Sequence, residues 1–236
     1  MKPRLNTLVP AAAFALAISG VAQAQMIAPT PYLSFADSPF ASDSTTVLET
    51  FEDDALNVPG VTATASWFAS SPSPFSDSVD GDDGAVDGVT TSGYAFYSAN
   101  SQSSVTFTFD AQILGALPTK AGLVWTDVGN VTSGTTGFGE VTFTARDANG
   151  NVIGTTGPTS VGDGTANGAA AEDRFFGVIH AGGISSITMT ASNSVDWEVD
   201  HLQYAAPVPE PESIALFGVG GLLLAARVAR RGRRHG

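Results

Sequence analysis

The chain has 236 residues, no cysteine, and ten Lys and Arg against 23 Asp and Glu, for a formal net charge of −13. The absence of cysteine excludes a disulfide framework, so a core must hold the fold unaided. Clustered bases are confined to the last ten residues, which argues against nucleic acid as a partner of the rest of the chain, because phosphate binding needs clustered Lys and Arg.

The first element is a leader. Lys2 and Arg4 form a positive start, Leu8 to Val21 is mostly apolar, and Ala22-Gln23-Ala24 places small residues where a signal peptidase reads them. No acid occurs before Asp37. This grammar predicts a secretory signal peptide over residues 1–24, cut after Ala24. Residues 25–45 are rich in Pro, Ser and Ala and are expected to form a flexible arm. Seven of the ten bases lie in the leader and the C-terminal tail, leaving Lys120, Arg146 and Arg174 in the body. Two of the 23 acids lie in the tail, so 21 acids and about −18 of net charge remain. Such a body is repelled by an anionic lipid surface and is compatible with cations, neutral glycans or a self-repelling soluble state.

From Thr46 onward, short alternating runs are separated by Gly, Ser, Asp and Asn. TTVLETFE, VTATASWF, YAFYSA, SSVTFTFD, AGLVWTDV, GEVTFTARD, NVIGTT, RFFGVIH, ISSITMTA and VDWEVDHLQY carry β-branched or aromatic residues at period two. Asn149-Gly150 reads as a hairpin turn, able to take positive φ. No amphipathic helix is evident between Thr46 and Tyr204. The pattern predicts an all-β domain over 46–206, a two-sheet sandwich of jelly-roll type. With FEDD opening it and VDHLQY closing it, the order is similar to galactose-binding-like and carbohydrate-binding jelly rolls. That resemblance implies a structural calcium shared by acids of the first and last strands, with Glu49, Glu52 and Asp200 as its ligands.

Signs of catalysis are few. There is no G-x-S-x-G elbow and no glycine loop leading into a helix, and the body has only His180 and His201. Paired carboxylates abound, which keeps open the alternative of a secreted carbohydrate-active enzyme. The loop DSVDGDDGAVDG carries Asp77, Asp80, Asp82, Asp83 and Asp87 but misses the EF-hand spacing and reads as a solvated acidic loop. In the last strand Val195, Trp197 and Val199 alternate with Asp196, Glu198 and Asp200, so three carboxylates line one face about 7 Å apart. Exposed, such a row needs no metal; covered, it calls for one. Trp125 and Trp197 are expected in the core, Trp67 is a further large aromatic, and Tyr94 and Tyr97 are candidates for a sugar-stacking surface. Arg174 is expected to be a structural ion-pair partner.

The tail is the most specific element. Val208-Pro209-Glu210-Pro211-Glu212 precedes a charge-free run from Ser213 to Ala226, followed by Arg227, Arg230, Arg231, Arg233 and Arg234. The prolines flanking Glu210 keep that strip extended and accessible. The 13 apolar residues from Ile214 would span roughly 20 Å as a helix, short of the roughly 30 Å bilayer core. A span over 213–228 closes the gap when Arg227 snorkels, leaving the basic residues 227–236 cytoplasmic. This sequence, 207–236 with its motif at 208–213, resembles the PEP-CTERM sorting signal. The resemblance implies recognition and removal by an exosortase of a Gram-negative bacterium, and a link to exopolysaccharide and biofilm. The whole chain thus reads as an exported precursor, tethered to the inner membrane until processed, whose body is a structural or glycan-binding module of the cell surface or matrix.

Overall fold

The computed structural model describes residues 23–64, 68–70, 78–79, 93–97, 102–127, 140–160, 173–192 and 197–205. Residues 1–22 of the predicted leader, the sorting motif and the apolar segment lie outside the described residues, as do Trp67, the acidic loop from Asp80 to Asp87, and Asp196.

Two antiparallel sheets face each other, with strands numbered in chain order. The first sheet runs β1 (Gln25–Pro31), β10 (Arg174–Ile179), β7 (Lys120–Asp127), β12 (Glu198–Ala205), β5 (Tyr94–Tyr97) and β4 (Phe68–Ser70), and β2 (Thr46–Glu49) joins β12 as well. The second runs β3 (Val61–Ala63), β6 (Ser104–Phe109), β11 (Ser186–Ser192), β8 (Glu140–Arg146) and β9 (Val152–Ser160). Strand neighbours in space are mostly distant in sequence, the crossing pattern of a jelly-roll-type sandwich. The hairpin at Asn149-Gly150 joins β8 to β9; Gly150 takes φ 80° and Asn149 stays out of the left-handed region.

Period-two alternation decides which side chains meet between the sheets. Val105, Phe107 and Phe109 of β6 and Val141, Phe143 and Ala145 of β8 face Ala121, Leu123 and Trp125 of β7 and Phe176 and Val178 of β10. Trp125 and Trp197 lie in this core with ring centroids 6.3 Å apart, as their placement in the strand pattern predicts. One helical turn, α1 (Ala111–Leu114), connects β6 to β7, with Asp110 as its cap accepting from the Gln112 amide at 2.7 Å. It is too short to leave a helical period in the sequence.

The expected flexible arm is not loose, which corrects the reading of residues 25–45. Gln25 to Pro31 is strand β1, paired with β10, and the following segment folds over the outer face of the first sheet. There Tyr32 and Phe40 form a second apolar cluster with Val79, Val124 and Phe175. Proline and serine masked a segment whose two aromatics outweigh them: burying a large apolar side chain stabilises by about 1.5–3 kcal/mol. The middle of the first sheet is therefore buried on both faces.

Gly122 makes this second layer possible. A Cβ there would come within 2.4 Å of the Phe175 ring and 2.6 Å of the Phe176 carbonyl oxygen. Gly122→Ala is expected to cost about 1–3 kcal/mol through overpacking, read as a drop of several degrees in melting temperature. An unchanged midpoint would show that Phe175 can move aside freely and that the layer is not closely fitted.

Candidate functional site

Most of the buried polar side chains on the outer face of the first sheet gather around β12. All eight of its residues are buried. Val199 points into the core as expected, and regular alternation would send His201 there too. Instead His201 adopts φ 44° and the register with β7 shifts between Asp200 and Gln203. This bulge places Asp200 and His201 both on the outer side and returns Leu202 and Tyr204 to the core. It also marks a change of neighbour: Glu198 and Val199 pair with β5, and Leu202 to Ala205 pair with β2.

The polar groups so exposed are met from above. The Val79 amide and the Ser78 hydroxyl donate to Asp200 Oδ2 at 2.9 and 3.0 Å, and the His201 amide donates to Oδ1 at 2.6 Å. Tyr32 Oη lies 2.8 Å from His201 Nδ1 and accepts from Gln203 Nε2 at 3.0 Å. Ser38 Oγ donates to Gln203 Oε1 and accepts from the Phe40 amide. The rings of Tyr32 and His201 meet edge to face at 5.5 Å. A last pair clamps the segment's end: Lys120 Nζ lies 2.5 Å from Asp43 Oδ2 and 6.0 Å from the centre of the Phe40 ring. The Lys120 hydrogen bond first, then those from the Thr45 hydroxyl and amide, hold the Asp43 carboxyl well below the usual carboxylate range.

The three residues expected to hold calcium are placed as follows. Glu52 and Asp200 come together, since the Ser78 hydroxyl reaches both, and Glu52 also accepts from the Tyr94 amide at 2.6 Å. Glu49 does other work. Its two oxygens accept from the amides of Phe51, Asn57 and Val58 at 3.0 to 3.3 Å. This ties the loop after β2 and holds Phe51, at φ 58°, in the core against Phe96 and Phe107. Among the described residues no three His, Cys, Asp or Glu side chains converge to hold a metal, so Glu49, Glu52 and Asp200 do not form the expected cage. The covered carboxylate row calls for partners, and for Asp200 amides and a hydroxyl supply them. Of the candidate sugar-stacking pair, Tyr94 is half-buried and follows Glu52's hydrogen bond, while Tyr97 pairs with Glu198 and its side chain lies outside the described residues. Arg174 donates to the Asp173 carbonyl oxygen at 2.7 Å. The residues missed in the sequence are Tyr32, Ser38, Ser78, His201 and Gln203, common types with no motif between them.

Chemically, this site is a fastening. Ser38, His201 and Asp200 do not form a nucleophile relay: the Ser38 hydroxyl bonds Gln203, and the His201 Nδ1 bonds Tyr32. What fold and site together define is an antiparallel β-sandwich whose N-terminal segment is bolted onto its last strand. The comparison with known families adds one assignment: residues 207–234 match the PEP-CTERM protein-sorting motif. No curated protein and no solved structure matches the chain, and the likeness of the body to galactose-binding-like jelly rolls is not confirmed. The motif marks the chain as an exported protein processed by an exosortase.

Two outcomes follow from this geometry. Tyr32→Phe removes an oxygen shared by the buried His201 and Gln203 and is expected to cost about 1–3 kcal/mol, measured by urea unfolding; a change below about 0.5 kcal/mol would mean the network is not a fastening. For Asp43 the folded pKa is depressed, so its contribution is complete above the unfolded value near 3.8 and is lost gradually as pH falls from there through the much lower folded value. Asp43→Asn should therefore destabilise at pH 7, and the gap in melting temperature from the unsubstituted chain should narrow progressively as pH falls below about 4 towards the strongly depressed folded value. A gap that stays constant with pH would rule out the ion pair as its source.

Proposed function

We propose that the processed body is a structural or glycan-binding module of an exopolysaccharide-rich cell surface or extracellular matrix. The observation that carries this reading is the sealed network: the buried acid, imidazole and amide groups of β12 are used to bolt a rigid sandwich together, on a chain whose tail carries an exosortase sorting motif. A module released into a matrix without disulfides gains durability from such internal fastening. The half-buried Tyr94, beside the Glu52 and Asp200 pair, is the side chain best placed among the described candidates to meet a sugar ring. The alternative, a carbohydrate-active enzyme using paired carboxylates, draws less support, because Glu52 and Asp200 already accept bonds from Ser78 and from main-chain amides.

Binding of the exported protein to the exopolysaccharide of its own host, with and without calcium, tests the reading. Saturable binding weakened severalfold by Tyr94→Ala supports a glycan-binding module. Release of reducing ends from that polysaccharide would establish the enzyme instead. The tail reading has its own measurement: mass spectrometry of the surface form should find residues 214–236 removed, and their retention would show a lasting anchor.

A further inference from the structure

The register of the first sheet places both ends of the folded body at one end of the sandwich. Gln25 pairs with Ile179, Ile179 with Lys120, Lys120 with Ala205, and Ala205 with Thr46. Gln25 directly follows the predicted leader, and Ala205 is followed at once by the sorting motif that begins at 207. From β1 to β12 is three strand-to-strand steps, about 14 Å at roughly 4.8 Å each. The second sheet ends at the same level: Arg146 pairs with Val152 and with Ser186, which the turn after Ile179 connects to β10. The turn α1 connects the sheets at this end as well.

We propose that this end of the sandwich rests on the lipid surface while the tail is intact, with Ile113 and Val152 as the side chains that meet the headgroup region. The proposal rests on the reading that residues 213–228 insert into the membrane before removal. Three observations carry it. Seven residues lie between Ala205 and Ser213, eight Cα-to-Cα steps with a reach of at most about 29 Å, so this end cannot stand far from the bilayer. While the leader is also inserted, the second tether leaves within about 14 Å of the first, so the opposite end cannot face the membrane. The two exposed large hydrophobic residues among those described, Ile113 and Val152, both lie here, at 63% and 51% exposure. Lys120 and Arg146 lie here too, but Lys120 is paired with Asp43, Asp147 follows Arg146 and Asp110 caps α1, so the contact rests on the apolar side chains and the tether and not on charge. A single exposed Ile is ordinary on any surface; both at the exit end is what the contact uses. The acidic body would not seek an anionic surface by itself, but a short tether raises its effective concentration there to the millimolar range, where a weak apolar contact suffices.

A chain without cysteine allows single-site labelling. Ile113→Cys, Val152→Cys and, at the opposite end, Ser103→Cys and Ser160→Cys replace exposed residues and leave the core untouched. The exported chain with its tail is reconstituted into vesicles of phosphatidylethanolamine and phosphatidylglycerol, labelled with a fluorophore, and quenched by a spin-labelled headgroup lipid. Quenching several-fold stronger at 113 and 152 than at 103 and 160 is the expected result. Equal quenching at both ends overturns the docking face while leaving the tether intact. Failure of the chain to float with the vesicles defeats the tether reading itself, and the docking face with it. Shielding of 113 and 152 only in host membranes that hold the processing enzyme would assign this end to that protein and overturn lipid contact.

Discussion

The structure depends on a central strand that is polar on one face and buried on both. β12 lies between β7 on one side and β5 and β2 on the other, so its backbone is paired on both sides except around the bulge at His201. Its inner face supplies Val199, Leu202 and Tyr204 to the core, and its outer face offers Asp200, His201 and Gln203. An unmet buried polar group costs about 1–3 kcal/mol, and an unmet charge more. The sandwich is therefore complete only with a cover that carries matching donors. Residues 32–43 and the Ser78-Val79 pair are that cover.

The handling of negative charge follows the same logic. With few bases available, the carboxylates turn to amides. Glu49 gathers three amide donors around one loop, Asp110 caps α1, Asp147 closes the β8–β9 turn by accepting from Asn149 and Asn151, and Asp200 is met by two amides and a hydroxyl. Hydrogen bonds from Asn151 accordingly lower the Asp147 pKa. Acids that hold loops in place explain how so acidic a chain stays compact without disulfides, and why abundance of carboxylates is a poor guide to catalysis here.

Fold and sorting meet at Ala205. The strand that organises the body ends immediately before the sorting motif, so the tail is attached to the most constrained element of the molecule and not to a frayed edge. The N-terminal segment that covers β12 begins at the same end of the sheet. Removal of the tail thus leaves the fastening untouched, which suits a protein that must outlast its own processing.

Much of this was legible in the chain. Alternating runs from Thr46 to Tyr204 correspond to strands β2 to β12, because period-two burial leaves its mark residue by residue; Trp125 and Trp197 were placed in the core on that ground, and the Pro-Glu-Pro strip with its apolar run and arginines announces the sorting signal by local order alone. Strand β1 was hidden by its prolines, and the VTATASWF run, read as one strand, holds β3 and ends on the first residue of β4. The contacts that matter most were not legible. Tyr32 meets His201 and Ser38 meets Gln203 across 169 and 165 residues, and nothing local marks such pairs. A single left-handed residue, His201, shifts the alternation of the last strand, so the faces of everything after Asp200 were decided by the sheet. Whether Glu49 and Asp200 hold a metal or a loop likewise turns on which amides fold to within 3 Å of them. Local pattern determined the strands and the sorting signal, because these depend on neighbours in sequence; the partners of each buried polar group depend on neighbours in space, and only the tertiary structure supplied them.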